Sequence, residues 1–203
     1  SVVMNGYYST ADPKKPEMNA GFRMENIGFA QAYKELDMVQ KMAPIFENLK
    51  GNFSGNMHIR TLLDNQMSPV MDTMQGNGSL STQDLSLSGV KVIDQIAEAV
   101  KKPELKEMKV KDMALDFTIK DGRVSTKPFE IKLGDYVMNL SGSTGLDQTI
   151  DYSGKIKLPA SAGDIAKLTT LDLKIGGTFS SPKVSLDTKS MTNQAVEAVT
   201  DKA

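Results

Sequence analysis

Few residues of this chain have the types and spacing that enzyme chemistry requires. The single histidine, His58, stands between Met57 and Ile59 on a predicted strand, where alternation turns it toward the polar face. One histidine cannot build a histidine-rich metal site. The chain has no cysteine, which excludes disulfides, zinc ribbons and thiol catalysis. We therefore interpret His58 as an exposed strand residue without a catalytic or metal-binding role.

Motifs and carboxylates give no better candidate for catalysis. The sequence has no Gly-x-Ser-x-Gly elbow, no Walker phosphate loop and no dinucleotide-binding glycine motif. A glycosidase would need two carboxylates in a cleft with aromatic sugar platforms, but the chain has no Trp and only 6% aromatic residues. A carbohydrate-binding or hydrolytic β domain is thus a distant alternative. We predict no enzyme, no catalytic residue, no metal site and no cofactor. The carboxylates that we assign to solvated strand faces are Asp112, Asp116, Asp147, Asp151 and Asp172.

Charge and hydropathy narrow the class of partner. The 203 residues include 24 Lys and Arg against 25 Asp and Glu, a net charge of -1, so nothing attracts the chain to nucleic acid over long range. No apolar run approaches the ~18 residues of a membrane-spanning helix. The chain opens on a strand-like pattern without a signal peptide, which is typical of a piece of a longer protein. We expect any membrane anchor to lie outside it.

Most of the chain alternates apolar and polar residues with the period of a β-strand. The alternation at residues 113–119 leads into Asp121-Gly122, a pair typical of a two-residue hairpin turn, and resumes beyond it as far as Leu158. Short connections require antiparallel neighbours, and glycines near the strand ends indicate bends. The predicted fold is α+β, mostly β: a strongly curved, groove-like antiparallel sheet with two to three helices on its concave face. Further strands are predicted at 20–26, 51–60, 77–89, 171–179 and 183–187.

Helical spacing interrupts this pattern in a few places. Residues 29–49 have apolar positions three or four apart, with Pro44 as a kink or break. Residues 90–101 form a second amphipathic helix, with Pro103 beyond its end. A short third helix is predicted to begin at Ser161, and the tail after Ser190 to be a frayed helix or disordered.

Five glycine-bearing segments follow one another between residues 51 and 187. They are GNFSGNM at 51–57, GNGSL at 76–80 with DLSLSG at 84–89, MALDFTIKDGRV at 113–124, LSGSTGLD at 140–147 with IDY at 150–152, and IGGTFSSPKV at 175–184. On these segments the chain resembles the C-terminal region of AsmA-like proteins. The last segment, where Gly-Thr is followed by small residues and Pro, is the most specific.

The resemblance implies a role in the cell envelope without catalysis. AsmA-like proteins are anchored in the inner membrane of diderm bacteria, project into the periplasm, and are linked to outer-membrane biogenesis and phospholipid transport. The family has no catalytic residues to transfer. The implied location is therefore the periplasm, and the implied partners are phospholipid or another acyl-chain lipid and other envelope proteins. Three segments follow: 1–50, a strand-plus-helix unit continuous with the sheet; 51–189, the AsmA-like β domain; and 190–203, the tail.

The candidate lipid-binding surface is the apolar side of the hairpin meander. Each lipid methylene exposed to water costs about 0.8 kcal/mol, and an apolar β-groove would cover the tails without chemistry. The 13 methionines, Met57, Met108, Met113 and Met138 among them, suit either a variable lipid surface or a loosely shaped core. The alternative function is a structural or assembly module whose apolar face is plugged by its own helices. The predicted lining is Met113, Leu115, Phe117, Ile119, Phe129, Ile131, Leu133, Met138, Leu140, Ile156 and Leu158.

Overall fold

The strands pair in chain order into one antiparallel sheet, as the alternation predicts. The computed structural model describes residues 1–12, 14–87, 89–107, 109–159 and 170–187. Within them, each strand pairs with the next along the chain, and all pairs are antiparallel. The strands are β1 (Val2–Ser9), β2 (Glu17–Gly28), β3 (Leu49–Leu62), β4 (Gln75–Leu87), β5 (Ala114–Lys120), β6 (Arg123–Leu133), β7 (Tyr136–Gly145), β8 (Ile150–Lys157), β9 (Thr170–Gly177) and β10 (Pro182–Asp187).

The hairpin between β5 and β6 forms at the predicted turn. Lys120 pairs directly with Arg123, which leaves Asp121 and Gly122 as a two-residue loop. Both loop residues have positive φ, 51° and 70°, as a type I′ turn requires. The turn twists in the same sense as the strands, so it fixes the register of this hairpin.

Three α-helices and three short 3-10 helices occupy the longer connections of the described chain. The α-helices are α1 (Phe29–Glu35), α2 (Asp37–Met42) and α3 (Lys91–Ala99), and the 3-10 helices are Pro44–Asn48, Met71–Thr73 and Pro103–Glu107. Helix α3 confirms the predicted second helix, with Val90 as its N-cap residue. The predicted helix at Ser161, the tail after Ser190 and Met108 lie outside the described residues.

The predicted break at Pro44 is confirmed, but the prediction of one helix before it is wrong. The chain is extended at Leu36, which is 50% exposed, and turns again before Pro44. The cause is aromatic packing: the rings of Phe29 and Phe46 are 4.8 Å apart, edge to face, and both contact Phe53 on β3. A straight helix would hold Phe29 and Phe46 roughly 25 Å apart. Packing on Phe53 therefore folds this segment back on itself.

Register shifts interrupt three of the strand pairs. In β6 the shift lies between Thr126 and Phe129 and includes Pro128, a residue that sheets tolerate at bulges. The β3–β4 pair shifts beside Asp84, whose φ is 54°. There the carboxylate of Asp112 accepts hydrogen bonds from the amide of Leu85 at 3.0 Å and the amide of Asp84 at 3.2 Å. Asp112 thus binds the β4 bulge to the segment that precedes β5.

Candidate functional site

The strand register brings the predicted lining residues to one side of the sheet. Phe117 pairs with Thr126, Ile131 with Met138, and Met138 with Ile156. Directly paired residues of antiparallel strands point to the same side, so these positions share a surface that we call the apolar face. Nine of the eleven predicted residues lie within strands β5 to β8. Met113 immediately precedes β5, and Leu158 immediately follows β8.

One end of the apolar face is covered by helix α3. Leu133, Met138, Leu140, Ile156 and Leu158 are buried there, in one cluster with apolar residues of α3 and of the connection that follows it. Strands β9 and β10 contribute to the same cluster. We call this part of the sheet the closed end. The residues that α3 and the following connection supply to the cover are Ile93, Ile96, Ala97, Val100 and Leu105.

A second cluster, rich in methionine, occupies the apolar face over β2 to β5. Its buried residues include Ile59 and Ile119, and the half-buried Phe22 and Phe117 pack against it. We call it the methionine cluster. Six methionines contribute to it, and the cover comes from α2 and the Met71–Thr73 turn, which are shorter than α3. The six are Met18, Met38, Met42, Met57, Met71 and Met74.

A row of half-buried apolar residues crosses strands β2 to β5 on the same face. Met24 pairs with Gly55, Gly55 with Leu80, and Leu80 with Leu115. Met24, Leu80 and Leu115 are each half-buried. Met24 and Leu80 pack against the cluster of the closed end, and Leu115 packs in neither cluster. We call Met24, Leu80 and Leu115 the half-buried row. The other half-buried members of the predicted lining are Met113, Phe117, Phe129 and Ile131.

The apolar face is most exposed on the first strand, which sequence reasoning did not include in the site. Val2 pairs with Met24, Met4 with Phe22, and Tyr8 with Met18, so these β1 residues extend the face to the edge of the sheet. Val2, Met4 and Tyr8 are 60%, 67% and 65% exposed. β1 also has apolar residues on its other side, so its sequence lacks the alternation that identified the other strands.

The opposite face of the sheet is polar, as the alternation predicts. His58 is exposed, and its Nε2 lies 2.8 Å from Oδ1 of Asn19. A hollow of about 720 Å³ lies on this side, with Arg23, Asn56 and Asp116 among its lining residues. No group of three or more His, Cys, Asp or Glu residues that could hold a metal ion occurs in the described part of the chain.

The candidate carboxylates have local partners and do not converge. Asp116 forms an ion pair with Lys127 at 3.2 Å, and Asp147 accepts hydrogen bonds from the amide and hydroxyl of Thr149. The Thr149 hydroxyl contributes most to holding the pKa of Asp147 below its usual range. The hydrogen bond from the Leu85 amide contributes most to the lowered pKa of Asp112. These shifts belong to bulges and turns, and they stabilise local backbone geometry.

Comparison with known proteins identifies no relative of this chain. No family model, no curated protein and no solved structure matches this chain. The resemblance to AsmA-like proteins thus stays a prediction from the five sequence segments. Across the described residues, no helix has the length and apolar character needed to cross a membrane.

Proposed function

We propose that this protein is a non-enzymatic lipid-handling module that binds acyl chains on the open end of its apolar face. The open end consists of Val2, Met4 and Tyr8 on β1, together with Phe22 and the half-buried row. The observation that carries the proposal is the exposure of the three β1 side chains beside half-buried apolar neighbours on β2. Exposed contiguous apolar surface on a folded protein is typical of sites that bind another apolar surface.

The dimensions of the open end suit a lipid tail. Neighbouring strands are about 4.8 Å apart, so the half-buried row, which crosses β2 to β5, extends over roughly 14 Å. One leaflet of a bilayer has a hydrocarbon thickness of about 15 Å, half of the ~30 Å core. A single acyl chain could therefore lie across the row. It would contact Met24 at one side and Leu115 at the other.

The methionine cluster beside this row favours a variable apolar ligand. Met side chains are unbranched and polarizable, so they adapt to partners of different shape. Met18 and Met57 are half-buried and pack beside Phe22. A ligand chain that differs in length or unsaturation could be accommodated by rotamer changes in these methionines, without movement of the strands.

In this proposal the module belongs to an inner-membrane-anchored AsmA-like protein of a diderm bacterium. It would work in the periplasm, where phospholipid passes between the membranes during outer-membrane biogenesis. The sheet would be strongly curved, with the helices on its concave side, so that the tails stay out of water during transfer. The polar face, with His58 and Arg23, would face water.

A structural or assembly module is the second candidate function. The observation that favours it is the burial of Leu133, Met138 and Ile156 under α3, since this end of the apolar face is covered by the protein itself. If the open end serves to bind an envelope protein, the purified protein will carry no lipid, and its exposed apolar surface will be covered in a complex.

Lipid occupancy in detergent-free preparations tests the proposal. We expect the purified protein to carry co-extracted phospholipid, detected by mass spectrometry of an organic extract. Leu115→Asp should remove this lipid and leave the fold intact, because a carboxylate at a half-buried position can still reach water. Ala114→Asp is the matched control, since Ala114 is the exposed neighbour on the opposite face of β5. Lipid-free wild-type protein, or equal lipid in both variants, would contradict the proposal.

A further inference from the structure

Strand β1 is an edge strand without the features that usually protect an edge. It lies at one end of the strand order. Its eight residues include no charge and no proline, and its pairing with β2 has no register shift. Natural proteins protect exposed edges with charged residues, prolines or bulges, because an unpaired row of backbone groups is a template for another strand. Among the described residues, no strand pairs with the outer edge of β1, which is therefore open to pairing along its whole length.

The hydrogen bonds at the start of β1 identify the backbone groups that point away from the sheet. The amide of Glu25 donates to the carbonyl of Ser1 at 2.8 Å, and the Ser1 nitrogen donates to the carbonyl of Glu25. Odd-numbered residues of β1 thus bond to β2, since the register is continuous from Ser1 to Ser9. The residues whose amides and carbonyls point outward are Val2, Met4, Gly6 and Tyr8.

The opposite edge of the sheet is blocked by helix α3. The side-chain amide of Gln95 donates from Nε2 to the carbonyl of Pro182 at 2.9 Å. Its Oε1 accepts from the amide of Val184 at 3.2 Å. These are the two bonds that a neighbouring strand would make, so Gln95 occupies the place of that strand on β10. Head-to-tail stacking of sheets, β1 on β10, is therefore hindered.

We propose that β1 pairs with β1 of a second copy of this chain in antiparallel orientation about a two-fold axis. Outward-pointing residues must oppose each other, and only one such register uses all four of them. In that register Val2 lies opposite Tyr8 of the second copy, Met4 opposite Gly6, Val3 opposite Tyr7, and Asn5 opposite Asn5. The pairing forms eight backbone hydrogen bonds, and both valines face tyrosines, a combination that stabilises antiparallel pairs.

The chemistry of β1 fits a second copy in particular. A self-pairing strand would place like charges close together if it carried any, and β1 carries none. Because the β10 edge is blocked, pairing closes at two copies and does not continue as a filament. Val2, Val3, Met4, Tyr7 and Tyr8 are 59–67% exposed. Pairing at the strand edge would cover the flanks of these side chains and leave the surfaces that face away from the sheet accessible. Because this interface is small, we expect a weak dimer that dissociates on dilution.

Cysteine cross-linking tests the register. The chain has no cysteine, so Asn5→Cys introduces a unique thiol. In the proposed dimer the two Asn5 Cα atoms are about 4.5 Å apart in a non-hydrogen-bonded pair, within disulfide range. Val3→Cys is the matched control on the same face, because its two copies would be roughly 13 Å apart. We expect rapid oxidation of Asn5→Cys to a disulfide-linked dimer and little of Val3→Cys. Equal cross-linking of both, or faster cross-linking of Val3→Cys, would overturn the register.

Light scattering across protein concentration tests the dimer itself. Met4→Lys places two ammonium groups diagonally across the new strand pair and should raise the dissociation constant at least tenfold. Met67→Lys is the control, since Met67 is also an exposed methionine but lies in the loop between β3 and β4. A wild-type monomer at all concentrations, or equal dimerisation of both variants, would overturn the proposal. Asn5 lies on the opposite face from the open end, so its cross-linking does not depend on lipid occupancy, and the dimer and the lipid proposal can fail separately.

Discussion

The two ends of this sheet both carry apolar residues on the same face but differ in what covers them. At the closed end, helix α3 covers β6 to β9, and its Gln95 caps the edge of β10. At the open end, β1 has neither a helix over its apolar side nor a group bonded to its outer edge within the described residues. An apolar strand face therefore becomes core or surface according to where the connections dock. The β2–β3 and β4–β5 connections are long enough to carry α-helices, whereas the β5–β6, β6–β7, β7–β8 and β9–β10 connections are short.

Introducing a carboxylate should give the largest difference in stability loss between the two ends. Leu133→Asp puts an unpaired carboxylate in the closed end, where Leu133 is 1% exposed, and should lower the free energy of unfolding by about 3–5 kcal/mol. Leu115→Asp, at the half-buried row, should lower it by about 1 kcal/mol, because the carboxylate remains hydrated. Urea denaturation of both variants measures the difference. Equal losses would mean that the apolar face is one closed core.

Truncating the side chains that cover the sheet should also destabilise the closed end more than the methionine cluster, by a smaller margin. Ile96→Ala removes a buried contact of α3 and should cost about 2–5 kcal/mol. Met38→Ala shortens a half-buried residue of α2 over the methionine cluster and should cost less than about 1 kcal/mol, since little cavity forms. The check is the thermal midpoint of each variant. A larger loss for Met38→Ala would show that the methionine cluster is the better packed of the two.

Loss of the edge cap should have a mostly local effect. Gln95→Ala removes both side-chain hydrogen bonds to β10, each worth about 0.5–1.5 kcal/mol. Hydrogen exchange at the amide of Val184 should become faster, while the amides of β7 keep their protection. Glu98→Ala, an exposed position on the same helix, serves as the control. Unchanged exchange at Val184 would mean that Gln95 does not protect this edge.

The smallest expected effect is a pH dependence at the β4 bulge, which lies between the two ends. The hydrogen bond from the Leu85 amide holds the pKa of Asp112 below its usual value. The stabilisation that the ionised carboxylate provides is therefore present above the unfolded pKa of about 3.9 and is lost as pH falls through the folded pKa. The urea midpoint of the wild type should therefore fall more steeply below about pH 4 than that of Asp112→Asn. Asp147 and Glu17, whose pKa values are also lowered, titrate in both proteins. Parallel curves would contradict this role.

The sequence predicted the strands well because strand alternation and turn formation depend on residues close together in the chain. The Asp121-Gly122 turn and helix α3 follow from backbone preferences and from spacing within a few residues. The break at Leu36 could not be predicted in this way, since it results from the contact of Phe29 and Phe46 with Phe53 on another element.

Contacts between distant elements also determine which part of the candidate surface is covered, and local sequence does not predict them. Alternation predicts that Leu115 and Leu133 share a face, but it does not tell which of them α3 will cover. Residues of β1 lack alternation, and no connection in the described part of the chain folds over them. Their part in the open end is therefore visible only from their pairing with β2.

The most direct test of the open end uses the methionine methyl groups as reporters. The protein is labelled with ¹³C at these methyls, their signals are assigned by substitution, and a short-chain phosphatidylcholine is added below its micelle concentration. We predict that the signals of Met4, Met24 and Met57 shift with increasing lipid, while that of Met138, which is 0% exposed at the closed end, stays in place. Shifts at none of the three, or an equal shift at Met138, would contradict the account.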